Sequence, residues 1–328
     1  MKVSVVVPTV GRSDLISSCL ASLLNQNYPK DKYEVIVVDS GSDDGTRKLI
    51  ETLNQNLKVP KLIYLFQDKK GPAAARNLGL IHSKGDIVCF IDDDCVADEN
   101  WIKNLLSGYS SDKIGGVGGK IVGLNPRKVL EKFQDYLFVP KLIDGKYLPA
   151  INTSNASYRK SVLLEVGGFD ENFITNEDTE LGHRVRKRGY LLRYVPSATV
   201  YHRHRDTLTT LLKREFNLGK GSVQLCYKHR SDFTITGLFI VNIAKILINL
   251  LMYPVTVIRT PFVDNKLLFL SKPFLDILVR LSRLMGYTYA LKAKTYRGVD
   301  ERSRKAVSYT HLRAHETEAD LVCRLLLE

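Results

Sequence analysis

The 328 residues include 44% hydrophobic and 25% charged side chains, the make-up of a chain that buries one large core or two small ones, and this excludes a disordered tail. A formal charge of +13 and a pI near 9.4 point to phosphate-bearing partners: nucleic acid, anionic lipid or a nucleotide. The basic residues concentrate after Arg184 and flank apolar stretches, and no helix-turn-helix or aromatic and basic RNA-binding pattern is present, so a membrane surface is expected and no nucleic acid. The cysteines Cys19, Cys89, Cys95, Cys226 and Cys323 show no zinc spacing and suggest a reducing, cytosolic setting. The apolar run after Lys2 is too short for a signal peptide, so the acceptor sequons at Asn152 and Asn155 are expected to stay unmodified.

Residues 3–8 form a β-branched run stopped by Pro8, the pattern of a buried parallel strand reaching the end of its sheet. Ser13 or Asp14 is placed to cap a helix in which Leu15, Ile16, Cys19, Leu20 and Leu23 recur at helical spacing. A second buried strand is expected over 33–38, ending at Asp39 and a Gly/Ser/Asp turn over 40–45. A helix over 46–54, a strand over 62–66, a helix over 72–81 and a strand running into Asp92, Asp93 and Asp94 continue the alternation. That alternation predicts a parallel sheet with helices on both faces. Ligands of such sheets bind beyond the carboxyl ends of the strands, where Thr9, Asp39 and the acid triplet all fall.

Three adjacent carboxylates repel one another, so a divalent cation among them is the natural reading. The plainer one is a solvated turn leading into a helix, since Asp98 and Glu99 follow. Gly71, with Arg76 one turn further on, either opens an anion site at a helix N-terminus or heads a run of good helix formers, Ala73, Ala74 and Ala75. Past Trp101 the alternation ends. Residues 115–119 read as a glycine-rich strand that a ligand or backbone approaches closely, and 129–138 as a helix or an irregular cover.

A polar stretch over 150–158 leads on to Glu177 and Asp178, the start of a helix with Leu181 and Val185 inward, Arg184, Arg186, Lys187 and Arg188 outward, and Gly189 closing it. The two acids either serve chemistry or only complement the helix dipole. Residues 190–195 and 199–201 read as two short strands, the second running into His202 and His204, which share a face. Such a pair suits a metal or a diphosphate; a hydrogen-bonded surface pair is the commoner case. An amphipathic helix over 208–218 carries Lys213 and Arg214.

Residues 237–258 are long and apolar enough to cross a hydrocarbon layer of about 30 Å. Asn242, Lys245 and Asn249 interrupt the run and Pro254 predicts a kink. Basic residues on both flanks oppose a single crossing. Residues 274–285 put Leu275, Leu278, Leu281 and Met285 on one face and Asp276, Arg280 and Arg283 on another, so an interfacial hairpin competes with a span. Residues 307–328 resemble translated sequencing-adapter read-through and are set aside as an artefactual tail.

The strings VSVVVPTVGR with Leu20 and Gln26, VIVVDSGSDDGT, GPAAARNLG, FIDDDC, VGGFDENF and EDTELGHRVRKRG, trailing into Pro196 and His202, resemble the family 2 glycosyltransferases. They follow the family's order over residues 2–221. The resemblance implies an α/β chain of GT-A fold, a Rossmann-like, mostly parallel sheet that binds a nucleotide sugar, with membrane-associated C-terminal helices. It also implies Mg²⁺ or Mn²⁺ and inversion at the anomeric carbon. Residue by residue it implies Thr9 and Asp39 at the nucleotide base, Arg76 at base or phosphate, and Asp92 at ribose or metal. Asp94 would hold the metal against the diphosphate and Asp178 would be the catalytic base, with Glu177 and His202 as further candidates. The Gln-x-x-Arg-Trp pattern of the family's processive synthases is absent after Arg205, which argues against polymerisation.

The expected organisation is a catalytic domain over 1–221, a membrane-associated helical region over 222–306 and the tail. The expected activity is inverting transfer of one sugar to a hydroxyl of a lipid-linked or cell-surface glycan at the cytoplasmic face of the cell membrane. Two alternatives are a catalytically silent nucleotide-sugar-binding membrane protein and a nucleotidyltransferase. The glycine-rich basic loop usual in the latter is reduced here to Gly11 and Arg12.

Overall fold

The computed structural model describes residues 1–41, 45–56, 59–68, 71–173 and 175–294. Residues 42–44 of the Gly/Ser/Asp turn, the end of the expected helical region and the whole tail lie outside the described residues. The buried β-branched run forms β1 (Val3–Thr9), followed by α1 (Ser13–Leu24), β2 (Tyr33–Asp39), α2 (Thr46–Asn56), β3 (Lys61–Phe66), α3 (Pro72–His82) and β4 (Ile87–Phe90). These four strands pair in parallel in the order β3-β2-β1-β4, with Thr9 in register with Asp39, as the alternation predicts. The expected cap on α1 is different: Arg12 holds the N-cap position, and Ser13 and Asp14 are the first two residues of the helix.

The second half departs from an all-parallel sheet. It contains β5 (Cys95–Ala97), α4 (Trp101–Ser107), β6 (Ile114–Gly123), α5 (Val129–Leu137), β7 (Ala156–Arg159), α6 (Lys160–Glu165), α7 (Glu177–Lys187) and β8 (Leu191–His202). The full order is β3-β2-β1-β4-β7-β6-β8-β5, with β7 antiparallel to β4 and β6, β6 parallel to β8, and β5 antiparallel to β8. Only the acid-bearing turn separates β4 from β5, too little chain for the crossover that parallel neighbours need. Those two strands nevertheless stand at the fourth and eighth positions of the order. Across a flat sheet that is about 19 Å, beyond easy reach of five Cα steps at about 3.5 Å each. The sheet therefore curls, and the acids sit where it folds over.

One apolar layer lies between the sheet and α1, α2 and α4, and the other between it and α3, α6 and α7. The glycines of β6 are filled by protein rather than by a ligand: a Cβ at Gly116 would lie 2.6 Å from the Tyr158 ring, and one at Gly119 would lie 1.9 Å from the Ala198 carbonyl oxygen. The two short strands expected over 190–201 are one strand, β8, whose register skips from Val195 to Thr199 around Pro196. Arg184, expected outward, turns in instead. Its guanidinium donates to both Glu180 oxygens and to the carbonyls of Val166 and Gly168.

The chain ends in three long helices, α8 (Leu208–Lys228), α9 (Ile235–Arg259) and α10 (Lys266–Ala293), and α8 runs without a break through Gly221. Gly286 of α10 meets α8 closely, since a Cβ there would lie 2.2 Å from the Phe216 carbonyl oxygen. Further along α10, Ser282 donates to the Leu212 carbonyl at 2.7 Å, and Leu268 and Val279 pack with Phe133 of α5 and Leu211 of α8. On its other side α10 holds α9, through Tyr287 to Asn242 at 3.0 Å and Asp276 to Asn249. Among the described residues α9 is the helix long and apolar enough to cross a membrane.

Candidate active site

A cleft of about 490 Å³ opens where β1, β4, α3, α7 and the end of β8 meet, beyond the carboxyl ends of the parallel strands. Thr9 ends β1 with its hydroxyl donating to Asp93 at 2.8 Å, and Arg12, just beyond, reaches Asp93 at 3.1 Å and Asp94 at 3.3 Å. Asp92 takes a hydrogen bond from the Ser154 hydroxyl at 2.6 Å and a salt bridge from Arg76 at 2.8 Å. Arg76, one turn into α3, also pairs with Glu177 at 2.7 Å and is only 3% exposed. It is thus held between two acids from separate elements. Its Nε is buried with no hydrogen-bond partner among the described residues.

Asp178 follows Glu177 at the start of α7. Its Oδ1 accepts from the Thr179 N–H and hydroxyl, while Oδ2 has no hydrogen-bond partner among the described residues. His202 arrives from the end of β8, with Nε2 lying 3.6 Å from Asp94 Oδ1. The cleft therefore assembles Thr9, Arg76, Asp92, Asp94, Glu177, Asp178 and His202. Asp39 stands apart: it is fully buried, accepts from the Tyr64 hydroxyl at 2.9 Å and does not line the cleft, whereas its neighbour Ser40 does.

Electrostatics separate the acids. Burial alone would raise Asp92, but Arg76 and the Ser154 hydroxyl hold it below the ordinary carboxylate range. Burial pushes Asp93 up to about 6 despite Arg12 and Thr9. Burial and the neighbouring Asp92 charge raise Asp94. Glu177 and Asp178 are raised by burial against the pull of Arg76. His202 is pushed down to about 3 by burial and by His204, so it is neutral at physiological pH.

The donor set suits a hard or borderline divalent cation. Asp94, Cys95 and His202 each offer a ligand atom within 4.8 Å of the other two. The carboxylate oxygen fits Mg²⁺ or Mn²⁺, and the neutral imidazole nitrogen fits the softer transition-metal ion better than Mg²⁺. Burial raises the Cys95 thiol well above its usual range, so it stays protonated beside Asp94.

Several cleft residues have no individual role assigned from the sequence: Asp93, Arg12, Ser154, Phe138, Arg205 and Arg214. Arg12 stands inside the first motif string, and Ser154 inside the polar stretch over 150–158. Arg205 and Arg214 add cations to the cleft from the segment after β8 and from α8.

Two family descriptions match, "Glycosyl transferase family 2" over residues 4–167 and "Glycosyl transferase family group 2" over 87–290. Glycosyltransferase AglE of Haloferax volcanii is 31% identical over 228 residues, covering 68% of this chain and 73% of that protein. Probable glycosyltransferase YdaM of Bacillus subtilis is 28% identical over 71% of this chain and 58% of its own length. Pre-mycofactocin glycosyltransferase of Mycobacterium tuberculosis is 31% identical over 69% of this chain, which spans only 48% of that protein.

Among solved structures, the mannosyltransferase PcManGT from Pyrobaculum calidifontis, in complex with GDP-Man and Mn²⁺, superposes with a TM-score of 0.58 at 18% identity, over 93% of this chain and 80% of that one. S. aureus TarS 1-349 in complex with UDP-GlcNAc gives 0.54 at 20% identity, over 93% and 92%. The fold is GT-A, and this chain belongs to the family 2 glycosyltransferases.

Proposed function

We propose that this enzyme is metal-dependent and inverting, and that it moves one sugar from a nucleoside-diphosphate sugar to a hydroxyl of a lipid-linked or cell-surface glycan. The observation that carries this reading is the single cleft in which the Asp94–His202 pair and the Glu177–Asp178 pair both stand. Inverting displacement needs two things: charge compensation at the leaving group and a base on the opposite face of the sugar. Asp94 and His202 would hold Mg²⁺ or Mn²⁺, which when bound neutralises charge developing on the diphosphate. Arg12, Arg205 and Arg214 line the same cleft and add fixed positive charge near that group. Thr9, Ser40 and Asp92 are the candidates for nucleoside contacts. The burial of Asp39 favours a supporting role beneath them.

Asp178 is the proposed base. Its upward shift moves it toward the working range of a proton acceptor, and Oδ2 is left to meet the attacking hydroxyl. Arg76 keeps Asp92 and Glu177 apart and so sets where the two halves of the cleft stand.

The hairpin of α9 and α10 is the proposed membrane contact, with residues 1–221 as the catalytic unit and α8 shared between them. α10 lies along α8 and α5, and α9 is pinned to α10 by Asn242 and Asn249, so α9 runs beside the catalytic unit rather than away from it. Leu247, Ile248, Leu251 and Ile258 of α9 and Phe274, Leu281 and Met285 of α10 are exposed, with no polar cover. These exposed apolar side chains, with the apolar length of α9, support contact of the hairpin with the bilayer at its cytoplasmic face.

The testing experiment is nucleoside-diphosphate release by the protein in detergent from a panel of UDP-, GDP- and dTDP-sugars, with Mn²⁺ or with chelator. Release from one donor, abolished by chelator, is the expected result. Release that is indifferent to chelator would remove the metal from the scheme. Its absence with every donor, where binding is intact and acceptor lipids are supplied, would sink the transfer reading.

A further inference from the structure

The segment that leaves β8 is gripped by one face of α5. Gln134 brackets Arg205, its Nε2 donating to the Arg205 carbonyl at 2.7 Å and its Oε1 accepting the Arg205 N–H at 3.2 Å. Asp135 accepts from His204 Nε2 at 2.8 Å. Phe138, the residue that ends the helix, stacks on the His204 ring with centroids 5.4 Å apart and planes 7° from parallel, and its ring lies 5.1 Å from that of His202. Gly123 completes the seat: its N–H donates to the same Asp135 oxygen at 2.7 Å, and a Cβ there would fall 2.9 Å from the His204 ring. The His204 side chain is only 1% exposed. Neither His204 nor Asp135 has a part in the mechanism above.

Hydrogen-bond polarity runs one way along this chain of groups. A carboxylate only accepts, so His204 Nε2 carries a proton. An imidazole protonated there offers its lone pair at Nδ1, and His204 Nδ1 lies 3.1 Å from His202 Nδ1. His202 Nδ1 is then the donor. Its remaining lone pair is on Nε2, the atom that faces Asp94.

We propose that Asp135 and His204 are positioning residues whose relay locks His202 in the Nδ1–H tautomer and presents its Nε2 lone pair, together with Asp94, to a divalent cation. This rests on the reading of His202 as a metal ligand. Partners of a metal-bound histidine commonly act in this way, by setting the ring's tautomer and orientation. Here the partner is a second histidine with its own carboxylate, brought in from α5.

The test is Mn²⁺ affinity of the full chain, followed by the electron paramagnetic resonance signal of free Mn²⁺, in His202→Ala, Asp135→Leu, His204→Leu and the Asp135→Leu/His202→Ala double variant. Asp135→Leu and His204→Leu are each expected to weaken Mn²⁺ by about 10-fold or more, the usual scale for such partners. Asp135→Asn, which keeps an accepting oxygen, should retain most of the affinity. In the His202→Ala background, Asp135→Leu should add nothing. In metal-free protein the ¹⁵N shift of His202 Nε2 should be that of an unprotonated nitrogen, and Asp135→Leu should move it toward a mixture of tautomers.

If Asp135→Leu weakens Mn²⁺ equally in both backgrounds, the relay is overturned, because the residue then acts without His202. If His202→Ala weakens Mn²⁺ but neither relay variant does, the relay fails and His202 stands as a ligand. If His202→Ala leaves Mn²⁺ binding unchanged, both readings fall. Should Asp135→Leu not fold, His204→Leu carries the same comparison.

Discussion

Helix α7 carries two sets of acids one turn apart, and they are treated in opposite ways. Glu177 and Asp178 face the cleft, share the buried cation Arg76 with Asp92, and are raised. Glu180 is fully buried between two cations, Arg184 at 2.7 Å and Lys228 at 2.7 Å, and lies 3.1 Å from the His229 ring nitrogen. Burial alone would raise it, but hydrogen bonds from His229 and Arg184 hold it far below the ordinary carboxylate range. The Glu180 network satisfies its charges and ties α7 to the end of α8. The cleft leaves carboxylate charge in excess, which weakens the fold and favours a bound cation.

The sharpest test of the contrast is Asp178→Asn. Transfer should fall by about 10² or more, within the general-base range, with donor binding and melting temperature little changed. A variant that still turns over at the parent rate would take Asp178 out of the role. Glu180→Gln should do the reverse, lowering stability by about 3 kcal/mol because it unbalances a buried charge network. Urea unfolding measures this, and turnover per folded molecule should be kept.

Saturating Mn²⁺ should stabilise the protein by about 2.7 kcal/mol at a hundredfold excess over its Kd, and chelator should reverse the effect. A thermal melt reports it, and no shift on adding Mn²⁺ would mean that the acids are not a cation site.

The smallest expected effect is on Asp93→Asn in metal-free protein. Asp93 titrates near 6 in the fold and near 3.9 in the unfolded chain. Between those values the folded state binds the extra proton, so this group's contribution to stability falls as pH rises. At neutral pH Asp93→Asn should therefore stabilise, by less than the roughly 3 kcal/mol that two pKa units are worth because Asn gives up the Arg12 salt bridge, and near pH 4 the gain should vanish. Glu180 has the opposite sign. Its contribution is fully present above the unfolded pKa near 4.3 and is lost as pH falls through its depressed folded pKa. A matching acid loss in Glu180→Gln would show that the network is not where that stability resides.

The first half of the fold was legible because its signals are local. The apolar runs of β1, β2 and β4 and the helical spacing in α1 lie within a few residues of chain, and the ends of those strands locate Thr9, Asp39 and the acid triplet. The second half was less so. Strand β7 joins antiparallel and β5 closes the far edge because of where the sheet curls, and nothing in the run Ala156–Arg159 states its direction. Asp93 was passed over because three adjacent acids look alike until Thr9 and Arg12 choose among them. The interruptions Asn242 and Asn249 in α9 read as flaws in a span. In the fold they are the pins that hold it to α10.

By itself the sequence determined the identity of the strands that form the parallel half, the motifs at their ends and the family they belong to, since short-range periodicity and residue type set these. Only the tertiary structure decided what those residues meet. Arg76 bonds to Glu177 across 101 positions of chain and Thr9 to Asp93 across 84, His204 reaches back 69 to Asp135, and α9 lies along α10. Contacts at such separations follow from how the sheet curls and from which faces are left to pack, and no local pattern encodes either.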